Sequence, residues 1–547
     1  MYWSQKKCQR RRLIERFGVD PAKIDYLLPV SNRMEQVRIY HETLLEQNEE
    51  LTDAPDIPDI DEITWSDLEM DQVYERINNT KCYAGEQVLY HTLHQISGRE
   101  CKTDLEKKFE EHMTFFTDNE EERVEIEEHL AKIGKKSADY YLPAFLKNVE
   151  FCRSGFVWIY PILQVLFIVC LAGCLWKGSV FLIALITIAA VNMIIYLLTK
   201  QKYEVVYESL FGLKQLVSFC RWMFSDKERK MLFADSKVED AIRSLNRVSG
   251  RILHIQARKS LTMSGDLMGL LYDYLMGITL CDVVTFYHVL RIVHKKQNEV
   301  MRLYRFVGEV DAQIAIASFR QSEQIWCKPQ FIKNHEIVAK AIVHPLLEDA
   351  VDNDLILKNR AMITGANASG KSTFMKAIAV NVILAQTIHT CLANDFHLPR
   401  LSVMTCMSLR DDIISGESYY VRETRYLKRM LDQIENKIPT FCVIDEILKG
   451  TNTNERLAAS AAILDYLACF DCFVLVATHD RELILNRQKP YDNYYFESSV
   501  TGQDICFDYR IHKGIVGDSN AIALLELLGY PQIIIDTARK NWMVRKG

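Results

Sequence analysis

Two glycines, a lysine and a hydroxyl stand at the GxxxxGK[ST] spacing in Gly365-Ala366-Asn367-Ala368-Ser369-Gly370-Lys371-Ser372, with Thr373 next. Glycines at these positions let backbone N–H groups close around phosphate oxygens at the positive end of a helix. Lys371 is placed to reach the β- and γ-phosphates of a nucleotide, and Ser372 to ligate Mg2+. The apolar run 361–363 leads into the loop and a helical pattern over 372–387 leaves it, a context that chance matches lack.

A second apolar run, 440–444, ends in Asp445-Glu446, the Walker B arrangement of a strand followed by two carboxylates. Asp445 would hold the magnesium shell, and Glu446 would orient or deprotonate an attacking water. A third run, 473–477, ends in Thr478-His479-Asp480. A histidine at the carboxyl end of a sheet strand lies on the side where open α/β sheets bind ligands, so His479 reads as a γ-phosphate sensor. The bland readings are surface carboxylates and a structural histidine. They lose weight because all three features share one chain segment with the phosphate loop.

These residues need a scaffold. From Asn359 onward strands alternate with helices, which implies a parallel sheet covered on both faces. Upstream the pattern is helical, and 12 prolines and 22 glycines in 547 residues favour long helices. The acidic stretch 46–62 reads as a linker and the charge-dense 104–136 as a solvated helix face. Net charge is -6, so no global basic field announces a nucleic-acid binder. The 15 cysteines include a lone CxxC, Cys469 and Cys472, read as ordinary thiols in a reducing cytoplasm. The opening residues MYWSQKKCQRRRLIERFG carry no apolar stretch of the signal-peptide kind.

Composition changes abruptly between Phe156 and Thr199. Residues 156–176 and 178–199 carry no charge, and each run is long enough to cross a ~30 Å hydrocarbon core. Trp158, Tyr160, Trp176 and Tyr196 fall near the ends, where amphipathic rings favour the interface. Arg153, Lys200 and Lys202 outside the runs, against Lys177 alone in the turn, place both termini in the cytoplasm. The expectation is a multi-pass membrane protein with two spans; the competing reading is a hairpin buried in a soluble core.

Together these elements resemble MutS, the mismatch-repair ATPase family. Thr364-Gly-Ala-Asn-Ala-Ser-Gly-Lys-Ser-Thr373 is similar to the family loop TGPNxxGKST, with Ala366 in place of the usual proline. Asp445-Glu-Ile-Leu-Lys-Gly-Thr-Asn-Thr453 resembles DEIGRGTST, and Ala477-Thr-His-Asp-Arg-Glu-Leu483 resembles ATHxxEL. Ser418-Tyr-Tyr-Val-Arg-Glu423 looks like the STFMxE signature, which implies that Ser418 reaches the nucleotide of a partner subunit in a homodimer. Fainter likenesses cover Ala84-Gly85-Glu86 and Gly308-Glu-Val-Asp311, and His344-Pro345, within the strongly similar region, resembles the family's HP element before the loop. Phe507 to Ala538 resembles the C-terminal dimerisation segment. The family's mismatch-reading N-terminal domains have no counterpart, and Ala350-Val351 stands where an aromatic residue often meets adenine.

The expected fold class is therefore multidomain α and α/β. An N-terminal basic segment and acidic linker (1–63) precedes a helical core/lever domain (64–330) interrupted by the hairpin 156–199, and a P-loop, ABC-type ATPase domain (331–547) follows. The expected activity is hydrolysis of ATP with Mg2+, coupled by resemblance to duplex or branched DNA; Arg251, Arg258 and Lys259 are candidate contacts, though a solvated helix face is the stronger reading of them. The alternative is an ATP-driven membrane switch with a protein or lipid partner. A transporter ATPase fits less well, since Ile414-Ser-Gly-Glu-Ser418 is not LSGGQ.

Overall fold

The computed structural model describes residues 2–23, 33–48, 59–96, 103–147, 158–177, 179–246, 274–366, 369–407, 419–448, 453–485, 491–501, 504–515, 525–526 and 529–546. The first helices are Tyr2–Arg16 (α1), Met34–Asn48 (α2), Glu62–Asp67 (α3), Met70–Ile77 (α4), Tyr83–His94 (α5) and Thr103–Asp118 (α6). Next come Glu120–Ile133 (α7), Leu142–Lys147 (α8), Ile159–Lys177 (α9), Ser179–Met223 (α10), Lys227–Leu232 (α11), Cys281–Lys295 (α12) and Gln297–Ser322 (α13). The C-terminal part adds Lys371–Ile388 (α14), Tyr419–Glu435 (α15), Thr453–Leu467 (α16), Arg481–Leu485 (α17) and Gln532–Lys546 (α18). Its strands are Gln330–Phe331 (β1), Ile337–Ile342 (β2), Asn353–Leu357 (β3), Arg360–Thr364 (β4), Asp395–Leu398 (β5), Ser402–Cys406 (β6), Thr440–Asp445 (β7), Phe473–Ala477 (β8), Asp492–Thr501 (β9) and Asp504–Lys513 (β10).

Two compact units result: Met1–Thr52, Asn78–His91 and Phe109–Ser318 form one, and Asp53–Ile77, Thr92–Lys108 and Phe319–Gly547 the other. This division differs from the expected 64–330 and 331–547, because α3 belongs with the sheet. Asp67 accepts hydrogen bonds from the Thr405 hydroxyl (2.8 Å) and the Met407 N–H (2.9 Å) beside β6. Trp65 stacks on His94 with ring centroids 3.6 Å apart. Pairings across more than 300 residues leave no trace in local periodicity.

In the first unit, two glycines let α5 and α13 cross closely. A Cβ on Gly308 would sit 2.3 Å from Val88, and one on Gly85 would sit 2.1 Å from the Asp311 carboxylate. That carboxylate is buried and accepts from the N–H groups of Lys81 and Cys82. Glu86, also buried, accepts from Arg33 at 2.6 Å and Lys135 at 2.8 Å. Burial alone would raise its pKa, but the two cations outweigh it and hold the carboxyl at about 2.

The two expected apolar runs become α9 and the start of α10, which continues without a break to Met223 rather than ending at Thr199. Among the described residues one helical stretch, Val180–Thr199, is long and apolar enough to cross a membrane; Ile159–Cys174 is shorter. Apolar side chains of both are exposed, Val165 of α9 at 59% and Val180 of α10 at 74%. Trp158 and Trp176 are exposed, Tyr196 is buried and Tyr160 stacks on Tyr287.

In the second unit a six-stranded sheet runs β10-β9-β4-β8-β7-β6, parallel except for the β9–β10 hairpin. β7 and β8 are buried along nearly their whole length, as near-continuous apolar runs covered on both faces must be. A separate sheet, β1-β5-β2-β3, pairs antiparallel at β2–β3 and β2–β5, so the unit is mixed rather than wholly parallel. α14 is buried almost all round. Its two buried amides are satisfied: Asn381 bonds Val343 and Leu392, and Gln386 bonds both backbone groups of Leu401.

Candidate functional site

β4, β8 and β7 are adjacent and parallel, so their carboxyl ends bring the glycine loop, His479 and Asp445-Glu446 to one edge of the sheet. Gly365 and Gly370 take φ of +149° and +101°, values that side chains disfavour. A Cβ would also crowd them, at 2.9 Å from the Phe496 carbonyl and 3.1 Å from the Tyr509 ring respectively. Lys371 is 6% exposed, and its ammonium donates to the carbonyls of Gly365 (2.8 Å) and Ala366 (2.7 Å). Beneath the loop, Ser372 donates to the Asp445 carboxylate at 2.6 Å.

Glu446 leaves β7 with φ of +61° while its N–H still donates to Ala477 at 3.0 Å. That turn aims the carboxylate at His479, with Oε1 2.9 Å from Nδ1. Hydrogen bonding to Glu446 raises the His479 pKa above its ordinary value. Two residues on, Leu448 has φ of +59° and its N–H donates to the carboxylate of Glu423 on α15, which is 1% exposed. A buried acid on the helix opening at Tyr419 thus fastens the turn that carries Asp445 and Glu446.

A cavity of about 610 Å³ opens between Gly370, Lys371, Ser372, Asp445 and Glu446 on one side and Leu347, Val351, Asn353 and Tyr509 on the other. The register of β9 against β10 shifts between Phe507 and Ile511, and Tyr509 sits in that irregularity with φ of +53°. Such a bulge re-aims a side chain, here into the cavity beside Gly370. Asn353 fixes the wall by donating to the carbonyls of Val351 (3.1 Å) and Tyr509 (3.0 Å) and accepting from the Ile511 N–H (2.8 Å). His344, in the same wall, is held near a pKa of about 4 by burial and by Lys376.

The residues fit a nucleotide triphosphate and Mg2+. The Ser369 hydroxyl is fully buried and has no hydrogen-bond partner among the described residues, and the two glycines leave a cradle that a Cβ would fill. Ser372 and Asp445 supply adjacent hard oxygens of the kind Mg2+ prefers. Of the expected site residues, Gly365, Ala366, Ser369, Gly370, Lys371, Ser372, Thr373, Asp445, Glu446 and His479 converge on this edge of the sheet. Asn367, Ala368 and Ser418 lie outside the described residues, as do Arg251, Arg258 and Lys259. Tyr509, Asn353 and Glu423 gained no site role from sequence reasoning; Tyr509 meets the loop only through sheet pairing, with no local signal.

Residues 361–544 match the family model described as MutS domain V. The DNA mismatch repair protein MutS of Pseudothermotoga lettingae is 30% identical over 260 residues, 45% of this chain and 31% of that protein. The proteins of the same description from Natronomonas pharaonis and Fusobacterium nucleatum subsp. nucleatum are 29% and 28% identical, each matched over 29% of its own length. The chain therefore matches less than a third of the length of these curated relatives. The sheet edge described above falls within the matched region, so the part of the chain that carries it is similar to domain V of the MutS family.

Proposed function

We propose that this chain is a membrane-anchored ATPase of the MutS type that hydrolyses ATP as a homodimer and couples turnover to DNA. The observation that carries the proposal is the convergence of Lys371, the Ser372–Asp445 pair and the Glu446–His479 pair on one cavity. Lys371 would exchange its loop carbonyls for the β- and γ-phosphates, and the loop N–H groups would hold the same anion. Ser372 and Asp445 would hold Mg2+, which when bound neutralises charge on the phosphate oxygens. Glu446 would orient the attacking water and accept its proton, and His479 would contact the γ-phosphate. Tyr509 and Val351 would flank the base, so the aromatic contact comes from β10. Ser418 would complete the partner's site. The hairpin formed by α9 and α10 would anchor the chain with both termini cytoplasmic.

ATPase rate in nanodiscs, measured with homoduplex, mismatched and branched DNA across a salt series, tests the coupling. Stimulation that fades steeply with salt is expected of a clamp held by phosphate contacts. A second reading, an ATP-driven membrane switch with a protein or lipid partner, draws on the outward-facing apolar side chains of α9 and α10 and on the net charge of -6. Intact basal hydrolysis with no response to any DNA would replace the first reading by the second.

A further inference from the structure

Two side-chain amides lie in the apolar hairpin, and both find partners in one distant segment. Asn192 on α10 is buried and donates to the Ile278 carbonyl at 2.7 Å. Gln164 on α9 donates to the Cys281 sulfur at 3.1 Å. The partner segment is a broken helix: residues 274–279 are helical, Leu280 turns left-handed with φ of +53°, and α12 starts at Cys281. From Tyr274 to Tyr287 it carries a single charge, Asp282, in the first turn of α12, where a helix favours an anion.

The contacts fix its direction. Gly277 packs against Met193 and Tyr196, nearer the Thr199 end of the apolar stretch than Asn192, which meets Ile278. The first limb therefore rises along α10 toward the hairpin's interior. On the other limb Cys281 meets Gln164, whereas Tyr287 stacks on Tyr160, nearer the start of α9. The second limb therefore descends on the same side. Asn192 lies seven residues from Thr199 (199 minus 192), which puts the apex about 10 Å inside that end at ~1.5 Å per residue. A broken helix strands carbonyls, and hydrocarbon tolerates such backbone only where protein satisfies it. Asn192 does so for Ile278. Tyr274 and Leu275, 60% and 54% exposed, point away from the protein on the rising limb.

We infer that residues 274–287 form a re-entrant wedge, a third membrane element seated on the hairpin, whose outer face contacts the cytoplasmic-leaflet lipid. This rests on the membrane anchoring proposed above, and the test separates the two. The full-length protein in nanodiscs carries a benzophenone amino acid in place of Leu275, of Ile183 in the hairpin, or of the exposed Met231 of α11, and lipid adducts are read by mass spectrometry after illumination. Adducts at position 275 comparable to those at 183 and several-fold above those at 231 are expected. Adducts at 183 with only the 231 level at 275 would overturn the wedge and leave the hairpin standing. The 231 level at all three would overturn both. Asn192→Val gives a second reading: faster amide exchange over 278–284 with unchanged adducts at 183 is expected, and unchanged exchange would overturn the role given to Asn192.

Discussion

At Glu446 the backbone turns left-handed so that a carboxylate and an imidazole meet at the end of the sheet. Lys371→Ala should abolish nucleotide binding, read by fluorescent-nucleotide titration. Glu446→Gln should keep binding and lower turnover by roughly 10²–10⁴-fold, the range for loss of a general base. Normal hydrolysis by Glu446→Gln would reject that assignment. The pairing also has a pH signature. A raised His479 pKa means that the charged pair is complete below the ordinary histidine value and is lost as pH climbs through the raised one. In Glu446→Gln the His479 titration, followed by NMR, should shift to lower pH; an unmoved midpoint would show that the carboxylate does not hold the ring.

Elements are fastened to one another at a few buried points. Glu423 ties α15 to the turn after β7 through the Leu448 N–H. Glu423→Ala should cost about 1–3 kcal/mol, the penalty for stranding a buried donor. It should also reduce turnover more than nucleotide binding, because the displaced turn carries Asp445 and Glu446. A variant with native melting and native kcat would mean that this contact is dispensable. In the other unit, α5 and α13 approach so closely at Gly308 that an added methyl meets both Val88 and the Ala84 carbonyl. Gly308→Ala should destabilise by ~1–3 kcal/mol through overpacking, seen as a lower denaturation midpoint with an unchanged slope.

At the scale of the whole molecule, the proposed dimer joins one subunit's Ser418 to its partner's nucleotide. Mixed dimers of Ser418→Ala and Lys371→Ala subunits make a direct check. If each site needs its own Lys371 and its partner's Ser418, both lesions fall on one site and the other site is intact. Mixing should then restore hydrolysis that neither variant shows alone. Absence of rescue in dimers verified by size would reject the composite site.

The phosphate loop, the acidic pair and His479 were legible in the sequence because each is a short local pattern tied to a strand end, and backbone geometry over a few residues dictates its form. The apolar runs were legible for the same reason, since absence of charge is a local property. Tertiary structure alone decided what lies across from these patterns. Tyr509 meets Gly370 only after β9 and β10 join the sheet beside β4. α3 joins β6 through Asp67, more than 300 residues away in sequence. The polar residues inside the apolar hairpin could be read only as needing partners; that Ile278 and Cys281 supply them depended on where a broken helix came to rest. Local sequence sets what a residue can do, and long-range packing sets what it does it to.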